Sequence, residues 1–442
     1  MKQIHWSGIL SAALIIFVAA SCGTESETSQ GDIQVIDLAA AVGGGKIVNI
    51  SDVADDIKYV ALETTDSSLI GERARVQIVN GRIYVLSSQS LFSFDIKVFD
   101  INGKYLYTFN RVGRGPEEYS QMSGIEIDNV TGGFIAFDLF SLLFNSTIQS
   151  GSFKEYDKEG NYLKTINMPV IKHGRLESVK RLNRNLFISS LGPKSFDQVK
   201  IHGAAFNSQS NILFEIPLAS MPDYVPKETI GRRVITKDAE WEKQYHTWSP
   251  LIKIFKDVAR FIYKYNDTIF TLNQNLNYYP SFVINYGNYR NTSTDIYNTP
   301  RTKSDFITID YSTFVESNRF IMMKLMLRDY AHEPYDEHIQ TKRNDVMTLR
   351  RTDCYGMFDK QTGQFNLLNQ PVKGKLGLRE DINNGPLFFP TDISADDLAS
   401  TVYSALQLIE HAEVYDVKGD LKELISKLKD NDNPVIAIAK FK

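Results

Sequence analysis

The sequence predicts an all-β fold: a six-bladed β-propeller with four-stranded blades and a short helical insertion near the C-terminus. The first observation is a recurring turn signal, whose six centres are 52, 52, 82, 52 and 66 residues apart. The turns lie between short apolar or aromatic runs, at Asn80-Gly81, Gly132-Gly133, Asn183–Asn185, Asn266-Asp267, Ser317-Asn318 and Asn384-Gly385. Paired short strands at such a period are typical of propeller blades. The second observation is an aromatic content of 12 %, which favours strands.

The N-terminus carries a predicted lipoprotein signal peptide, residues 1–21. Its apolar run from Ile9 to Ala20 is too short to span a membrane. The run ends in small residues before Cys22, a pattern that resembles the bacterial lipobox and implies cleavage before Cys22 and acylation of its sulfur. The alternative is an ordinary signal peptide with an incidental cysteine. Residues 22–32 lack large apolar side chains and are predicted to be a flexible tether, followed by the propeller at 33–442.

The first two blades are each predicted as two hairpins. In blade one the strand pairs are Arg75–Val79 with Arg82–Leu86 and Ile96–Asp100 with Lys104–Phe109; in blade two they are Ile125–Asp128 with Phe134–Asp138 and Phe153–Asp157 with Tyr162–Ile166. The outer hairpins share a turn with an aspartate and a glycine, as in Asp100–Gly103, Asp157–Gly160 and Asp359–Gly363. The aspartate can cap the turn and the glycine supplies a positive φ, so a metal-binding interpretation of these aspartates is weaker.

The end of the chain departs from the strand pattern. Ser394–Asp397 resembles a capping box, and Leu398, Val402, Leu406 and Ile409 follow at helical spacing. A second helix is predicted at Leu421–Leu428, and a final strand begins at Val435. We expect Val435–Phe441 and Ile57–Leu62 to supply the outer strands of blade six and so to close the ring, which removes two exposed sheet edges.

Composition and motifs exclude several function classes. The net charge of −4 indicates no basic surface for nucleic acid. With Cys22 lipidated, Cys354 has no disulfide partner, and we expect it to be packed in a strand rather than to act as a nucleophile. The two histidines of His332–His338 are six residues apart with Pro334 between them, so a solvated loop is favoured over a zinc site. Gly113-Arg114-Gly115 has no helix behind it and is predicted to form a rigid connection between blades rather than a phosphate loop. We therefore predict no catalytic residue, no metal and no cofactor.

Four segments carry a resemblance to a known family. They are Lys58–Thr64 with Leu69–Gly71, Val112–Tyr119, Asp381–Gly385 and Asn431–Val435. Together they resemble the six-bladed β-propeller lipoprotein family of Gram-negative gut anaerobes, over residues 33 to the end. One departure is Glu117, where the family usually has a second glycine. The resemblance implies a secreted, lipid-anchored propeller and implies no established reaction.

The predicted function is a ligand- or partner-binding module without catalysis, anchored in the cell envelope by its lipid, on the periplasmic side of the outer membrane or on the cell surface. Expected partners are a glycan, a peptide or a cell-envelope protein, because propeller channels and their loops form concave sites. Candidate ligand-binding residues are Arg111, Arg114, Glu117, Trp241, Tyr245, Trp248 and Arg290. The alternative is a carbohydrate-active or ester hydrolase whose carboxylates gather at the channel mouth.

Overall fold

A computed structural model describes residues 33–442 apart from 72–73, 91–92, 121–122, 139–150, 173, 194–200, 219–249, 264–265, 291–304, 332–333, 341–344 and 369–375. The described strands form six antiparallel sheets of four main strands each, which are the blades of a β-propeller. The predicted fold class is therefore confirmed. The chain first runs along the outside of later blades, through β1 (Gln34–Ile36), α1 (Leu38–Ala41), α2 (Ile50–Val53) and β2 (Ala54–Ala61).

Within blades one to five the main strands follow chain order, starting at the innermost strand. Blade one contains β3 (Ala74–Val79), β4 (Arg82–Ser90), β5 (Ser93–Asp100) and β6 (Tyr105–Phe109). Blade two contains β7 (Ser123–Ile127), β8 (Phe134–Asp138), β9 (Ser152–Tyr156) and β10 (Tyr162–Asn167). Blade three contains β11 (Gly174–Leu176), β12 (Lys180–Asn183), β13 (Leu186–Pro193), β14 (Ile201–Phe206) and β15 (Ile212–Pro217), with β11 and β12 both paired to β13.

The second half of the ring adds one strand to a blade and one separate hairpin. Blade four contains β16 (Leu251–Phe255), β17 (Val258–Ile262), β18 (Thr268–Asn273) and β19 (Tyr278–Ile284), to which β1 adds in parallel. Blade five contains β20 (Thr308–Glu316), β21 (Phe320–Met326), β24 (Asp353–Asp359) and β25 (Gln364–Leu368), with the hairpin β22 (Tyr335–Gln340) and β23 (Val346–Arg351) inserted before β24. Blade six contains β26 (Asp392–Ile393), β27 (Leu398–Tyr403), β28 (Val435–Phe441) and β2, with α3 (Ala405–Val414) and α4 (Gly419–Ile425) between β27 and β28.

The two ends of the propeller meet in blade six, as predicted. β28 pairs with β27 on one side and with β2 on the other, from Ala61 opposite Val435 to Ala54 opposite Phe441. Six of its seven residues are buried. The buried Asn433 amide donates to the carbonyl oxygens of Glu63 (2.8 Å) and Ser68 (2.9 Å), which fixes the exit from β2 against the start of β28. The ring is thus closed by a strand from each end of the domain.

The helix predicted to start at Ser394–Asp397 is placed wrongly. Those residues form the turn between β26 and β27, with Asp397 at a φ of +60°, and the helix α3 starts only after Ser404, whose side chain forms a capping box with Gln407. The apolar residues Leu398 and Val402 are four apart, a spacing that fits both a helix and one face of a strand. β27 pairs with β26 on one side and with β28 on the other, and this pairing makes the segment a strand rather than a helix. The second helix and the last strand are confirmed.

Two of the six turn signals mark other positions than expected. The innermost hairpin of blade four turns at Lys256-Asp257, whereas Asn266-Asp267 precedes β18 and joins the second and third strands. The innermost hairpin of blade six turns at Ser394–Asp397, whereas Asn384-Gly385 lies in a loop before β26. That loop is held by the buried Glu380 carboxylate, which accepts backbone N–H groups of Ile382 (3.0 Å), Asn383 (2.8 Å) and Gly385.

The outer hairpins confirm the turn chemistry expected of the aspartates. Asp100 Oδ1 accepts the backbone N–H groups of Asn102 and Lys104, and Gly103 has a φ of +86°. Blades three and four use an asparagine for the same turn, at Asn207 and Asn273, and place a non-glycine residue at positive φ. The aspartate pattern therefore missed two of the five equivalent turns, because an amide oxygen accepts the same hydrogen bonds.

The core lies between neighbouring blades. Between blades one and two, the rings of Phe109 and Phe134 stack at 3.8 Å between centroids, and the rings of Tyr119 and Tyr156 contact that of Phe109. Tyr119 ends the Gly113–Tyr119 segment, in which Gly113 donates to the Tyr119 carbonyl oxygen (3.0 Å) and Gly115 to the Glu118 carboxylate (2.8 Å). The segment is the rigid connection between blades that the sequence predicts.

Candidate functional site

A cavity of about 210 Å³ lies on the axis of the ring, which we call the axial pocket. Its wall comes from the innermost strands of five blades, β3, β7, β12, β16 and β26, from the turns that follow four of them, and from Ile135 of β8. In the described part of the chain, these strands and turns bring charged side chains to the wall at Glu126, Lys180, Arg181, Lys253, Lys256, Asp392 and Asp396. The pocket is therefore strongly polar although the blades around it are packed with apolar residues.

Two of the cations are held by carboxylates beside them. Lys180 Nζ lies 2.9 Å from Glu126 Oε2, an ion pair between blades three and two. Arg181 is almost fully buried, with Nε 2.6 Å from Asp128 Oδ2 and with Nη2 against Glu155 Oε1. The guanidinium of Arg181 is thus committed to joining the same two blades and is not available to a ligand.

Lys253 differs from Lys180 and Arg181 in having no close carboxylate partner within the described part of the chain. Among the described residues, no hydrogen bond or ion pair within 4.0 Å engages its ammonium group, although the side chain is partly buried. Burial lowers its pKa, and the nearby cations Lys180 and Arg75 lower it further, while Asp392 and Glu126 act in the opposite direction. A counter-charge placed at this ammonium would relieve that cost.

Asp392 faces Lys253 from blade six. Burial raises the pKa of this carboxyl group to about 6, against the opposing effects of Lys253 and of hydrogen bonds from the backbone of Ile78 and Ile393. An acid with a raised pKa beside an amine with a lowered pKa, both at the wall of a cavity, is an arrangement found at functional sites.

A second depression lies between β2 and α4, with a volume of about 640 Å³. It is larger but lies open to solvent, and its rim carries exposed charges such as the Lys427–Glu423 pair at 2.6 Å. Open, solvated ion pairs contribute little energy to binding or stability. The axial pocket is the better candidate because its charged groups are partly buried and converge from separate blades.

The residues predicted from sequence do not line the axial pocket where the structure describes them. Arg111 donates through Nε to the carbonyl oxygen of Gly160 (3.1 Å) and so joins blade one to blade two. Arg114 and Glu117 are exposed on the connecting segment. Arg290 pairs with Asp267 and lies over the Tyr286 ring, 5.2 Å from its centroid. Trp241, Tyr245 and Trp248 lie outside the described residues, as does Cys22, so ligand binding by this set stays a prediction.

Lys253 and Asp392 were missed because no motif surrounds them. The available signal was a charged residue in an apolar strand, as in Leu251-Ile252-Lys253-Ile254-Phe255. On the innermost strand of a propeller, alternate residues face the channel, so a lysine at such a position reaches the axis.

The other candidate sites are explained by local structure. Cys354 is buried in β24, and burial raises the pKa of its thiol to about 11, which confirms the expected packed cysteine. The prediction of a solvated loop at His332–His338 is wrong in part. Tyr335–Gln340 is a strand, and His338 Nδ1 lies 3.0 Å from Thr348 Oγ1 of β23. His332 lies outside the described residues.

No group of three or more potential metal ligands occurs in the part of the chain that the structure describes. Within the same residues, no helix has the length and apolarity needed to cross a bilayer.

Comparison with known proteins places the chain in one family. A family model described as "Domain of unknown function (DUF4934)" matches residues 33–440. A crystal structure of a protein from Bacteroides fragilis, whose name assumes that it is exported, has 14 % sequence identity and a TM-score of 0.59, and covers 92 % of this chain and 99 % of its own. A member of the duf4221 family from Bacteroides vulgatus has 8 % identity and a TM-score of 0.43, with coverage of 88 % and 97 %. No curated protein is significantly similar in sequence.

Proposed function

The chain belongs to the DUF4934 family, and we propose that it is a cell-envelope lipoprotein that binds a small polar ligand, or one end of a larger partner, in the axial pocket. The main observation behind this proposal is the partly buried Lys253 side chain at the wall of the cavity. Among the described residues, none forms a hydrogen bond or an ion pair within 4.0 Å with its ammonium group. Anchoring through Cys22 to the outer membrane, on its periplasmic side or at the cell surface, is part of the proposal. The signal sequence supports export, as does the name of the Bacteroides fragilis protein of similar fold.

The pocket size fits one sugar ring, one amino acid or the end of a peptide or glycan rather than a folded protein surface. Polar groups converging in a concave site provide orientation and specificity. A partner from the cell envelope would therefore bind through a terminus or side chain that enters the axial pocket.

A filling substitution tests this proposal. Gln77 lines the axial pocket and is half-buried, so Gln77→Trp places an indole in the cavity; Gln364→Trp on the exposed face of β25 is the matched control. Melting temperatures are measured with a panel of monosaccharides, sugar acids, amino acids and dipeptides, because a ligand of the folded state raises the melting temperature. We expect at least one compound to stabilise wild type and Gln364→Trp but not Gln77→Trp. No stabilising compound, or equal stabilisation of Gln77→Trp, contradicts the proposal.

A second candidate is hydrolysis of a glycosidic or ester bond in the same pocket. One observation favours it: Asp392 and Glu126 both line the cavity, and the pKa of Asp392 is raised to about 6, a range suited to a general acid. Turnover of p-nitrophenyl glycosides and esters that is lost in Asp392→Asn and in Glu126→Gln, but kept in Glu423→Gln, supports this candidate. No turnover by wild type removes it.

A further inference from the structure

We infer that the axial pocket takes the monoanionic group of a small ligand, a carboxylate or a sulfate ester, at the Lys253 ammonium, and that Asp392 competes with this anion. The inference rests on the proposed function of the pocket and specifies its ligand. It follows from the pairing of charges around the cavity.

The cations of the axial pocket differ in how fully they are already paired. Lys180 is 2.9 Å from Glu126, and Arg181 is enclosed by Asp128 and Glu155. Lys256, which is exposed, has Asp397 at 3.6 Å. Only Lys253, of the four described cations that line the cavity, has no carboxylate within 4.0 Å. A ligand anion therefore finds its strongest electrostatic partner at Lys253.

The charge count favours one negative charge on the ligand. With Asp392 neutral and Lys180 paired with Glu126, Lys253 is the described cation of the wall that keeps an uncompensated positive charge, while the Asp396 carboxylate lies exposed on the turn after β26. A carboxylate or a sulfate ester neutralises the charge of Lys253, whereas a phosphate monoester, whose second pKa is about 6, brings a surplus negative charge into a partly buried site at pH 8. Uncompensated charge in such a site is costly, so the pocket should discriminate against dianions.

Asp392 makes the site dependent on pH. Lys253 faces its carboxyl group from β16, and Lys180 of β12, Glu126 of β7 and Arg75 of β3 surround Lys253. Above pH 6 the Asp392 carboxylate repels a second anion and partly compensates Lys253. Below pH 6 Asp392 is neutral, the repulsion disappears, and a ligand carboxylate remains ionised. Binding therefore takes up a proton, and affinity falls as pH rises.

The size of the pH effect follows from the fraction of neutral Asp392. For a pKa of about 6, that fraction is about 0.9 at pH 5 and about 0.01 at pH 8. If only the neutral form accepts the anion, affinity falls up to about 90-fold across this interval. Asp392→Asn should remove most of this dependence and keep the affinity measured at low pH.

Calorimetry on the folded protein tests the inference with glucuronate, glucose 6-sulfate, glucose 6-phosphate and glucose, at pH 5 and pH 8. We expect binding of the carboxylate or the sulfate ester and tighter binding at pH 5. Neutral glucose should bind at least tenfold more weakly at both pH values, and the phosphate should do so at pH 8, where it is a dianion. If only glucuronate binds, the group that the pocket takes is a carboxylate. If only glucose 6-sulfate binds, it is a sulfate ester. Lys253→Met should abolish the binding and Lys253→Arg should retain part of it, while Lys427→Met in the exposed turn after α4 should leave it unchanged.

Several results overturn the inference. They are no binding of either monoanion at millimolar concentration, equal binding of glucose, or binding that is the same in Lys253→Met and wild type. If glucose binds as tightly as the monoanions and Gln77→Trp blocks it, the inference fails while the proposed function stands. If the compounds bind equally well to Gln77→Trp, the axial pocket is not the binding site and both fail. A circular dichroism spectrum and a melting curve for each variant establish that it is folded before binding is compared.

Discussion

Deletion of residues 434–442 removes the strand that closes the ring, and we expect it to prevent stable folding. Four large apolar residues of β28, namely Val435, Ile436, Ile438 and Phe441, are at most 7 % exposed. Full burial of such side chains contributes about 1.5–3 kcal/mol each, so the deletion removes about 6–12 kcal/mol. Whole domains are stable by only about 5–15 kcal/mol. The deletion also leaves β2 and β27 as unpaired sheet edges, which favour aggregation.

A single substitution in the same strand gives a graded measurement. Phe441 is 3 % exposed and contacts the rings of Phe320 and Phe388, at 5.8 and 6.5 Å between centroids. Phe441→Ala should lower the free energy of unfolding by about 3–5 kcal/mol. Lys440 is the one exposed residue of β28, so Lys440→Ala is the control, with an expected loss of about 1 kcal/mol or less.

The assays are size-exclusion chromatography for the deletion and urea unfolding followed by tryptophan fluorescence for the two substitutions. We expect the deleted protein to elute as aggregate or to unfold at a much lower temperature. A truncated protein that stays monomeric with the melting temperature of wild type would falsify the closure model, as would equal unfolding midpoints for Phe441→Ala and Lys440→Ala.

The remaining predictions concern the anchor, metals, one buried carboxylate and the free thiol. Cys22→Ala should move the protein from the membrane to the soluble fraction on cell fractionation, and unchanged membrane retention would argue against lipidation. Melting curves with and without a strong chelator should coincide, and a large decrease with chelator would reveal a metal site. Glu380→Ala should lower the free energy of unfolding by about 3 kcal/mol or more, because the buried backbone N–H of Asn383 and the part-buried N–H groups of Ile382 and Gly385 lose their acceptor; Glu423→Ala, exposed on α4, should change it by less than about 0.5 kcal/mol. Cys354, with a pKa raised to about 11, should react with a thiol reagent at pH 8 only after unfolding; fast labelling of the folded protein would contradict the packing.

Local chemistry made the blades predictable from sequence. Asn80-Gly81 and Asn102-Gly103 mark hairpins because their positive φ values suit tight turns, at +49° and +72° in the first turn and +86° at Gly103. The same logic failed at Asn384-Gly385, because the acceptor that holds its loop, Glu380, comes from just before the turn and not from a paired strand. It failed at Leu398–Tyr403 because a four-residue apolar spacing does not distinguish a strand from a helix until the neighbouring strands are known.

Sequence by itself determined the class of fold, the number of blades, the closing strands and the packed state of Cys354, because each depends on turn chemistry and on the alternation of apolar residues along a short segment. Only the tertiary structure decided the candidate site. Lys253 belongs to blade four and Asp392 to blade six, and each lies in a stretch without a motif. They act on each other electrostatically because closure of the ring brings the innermost strands of separate blades to one axis, where burial has the largest effect on both pKa values.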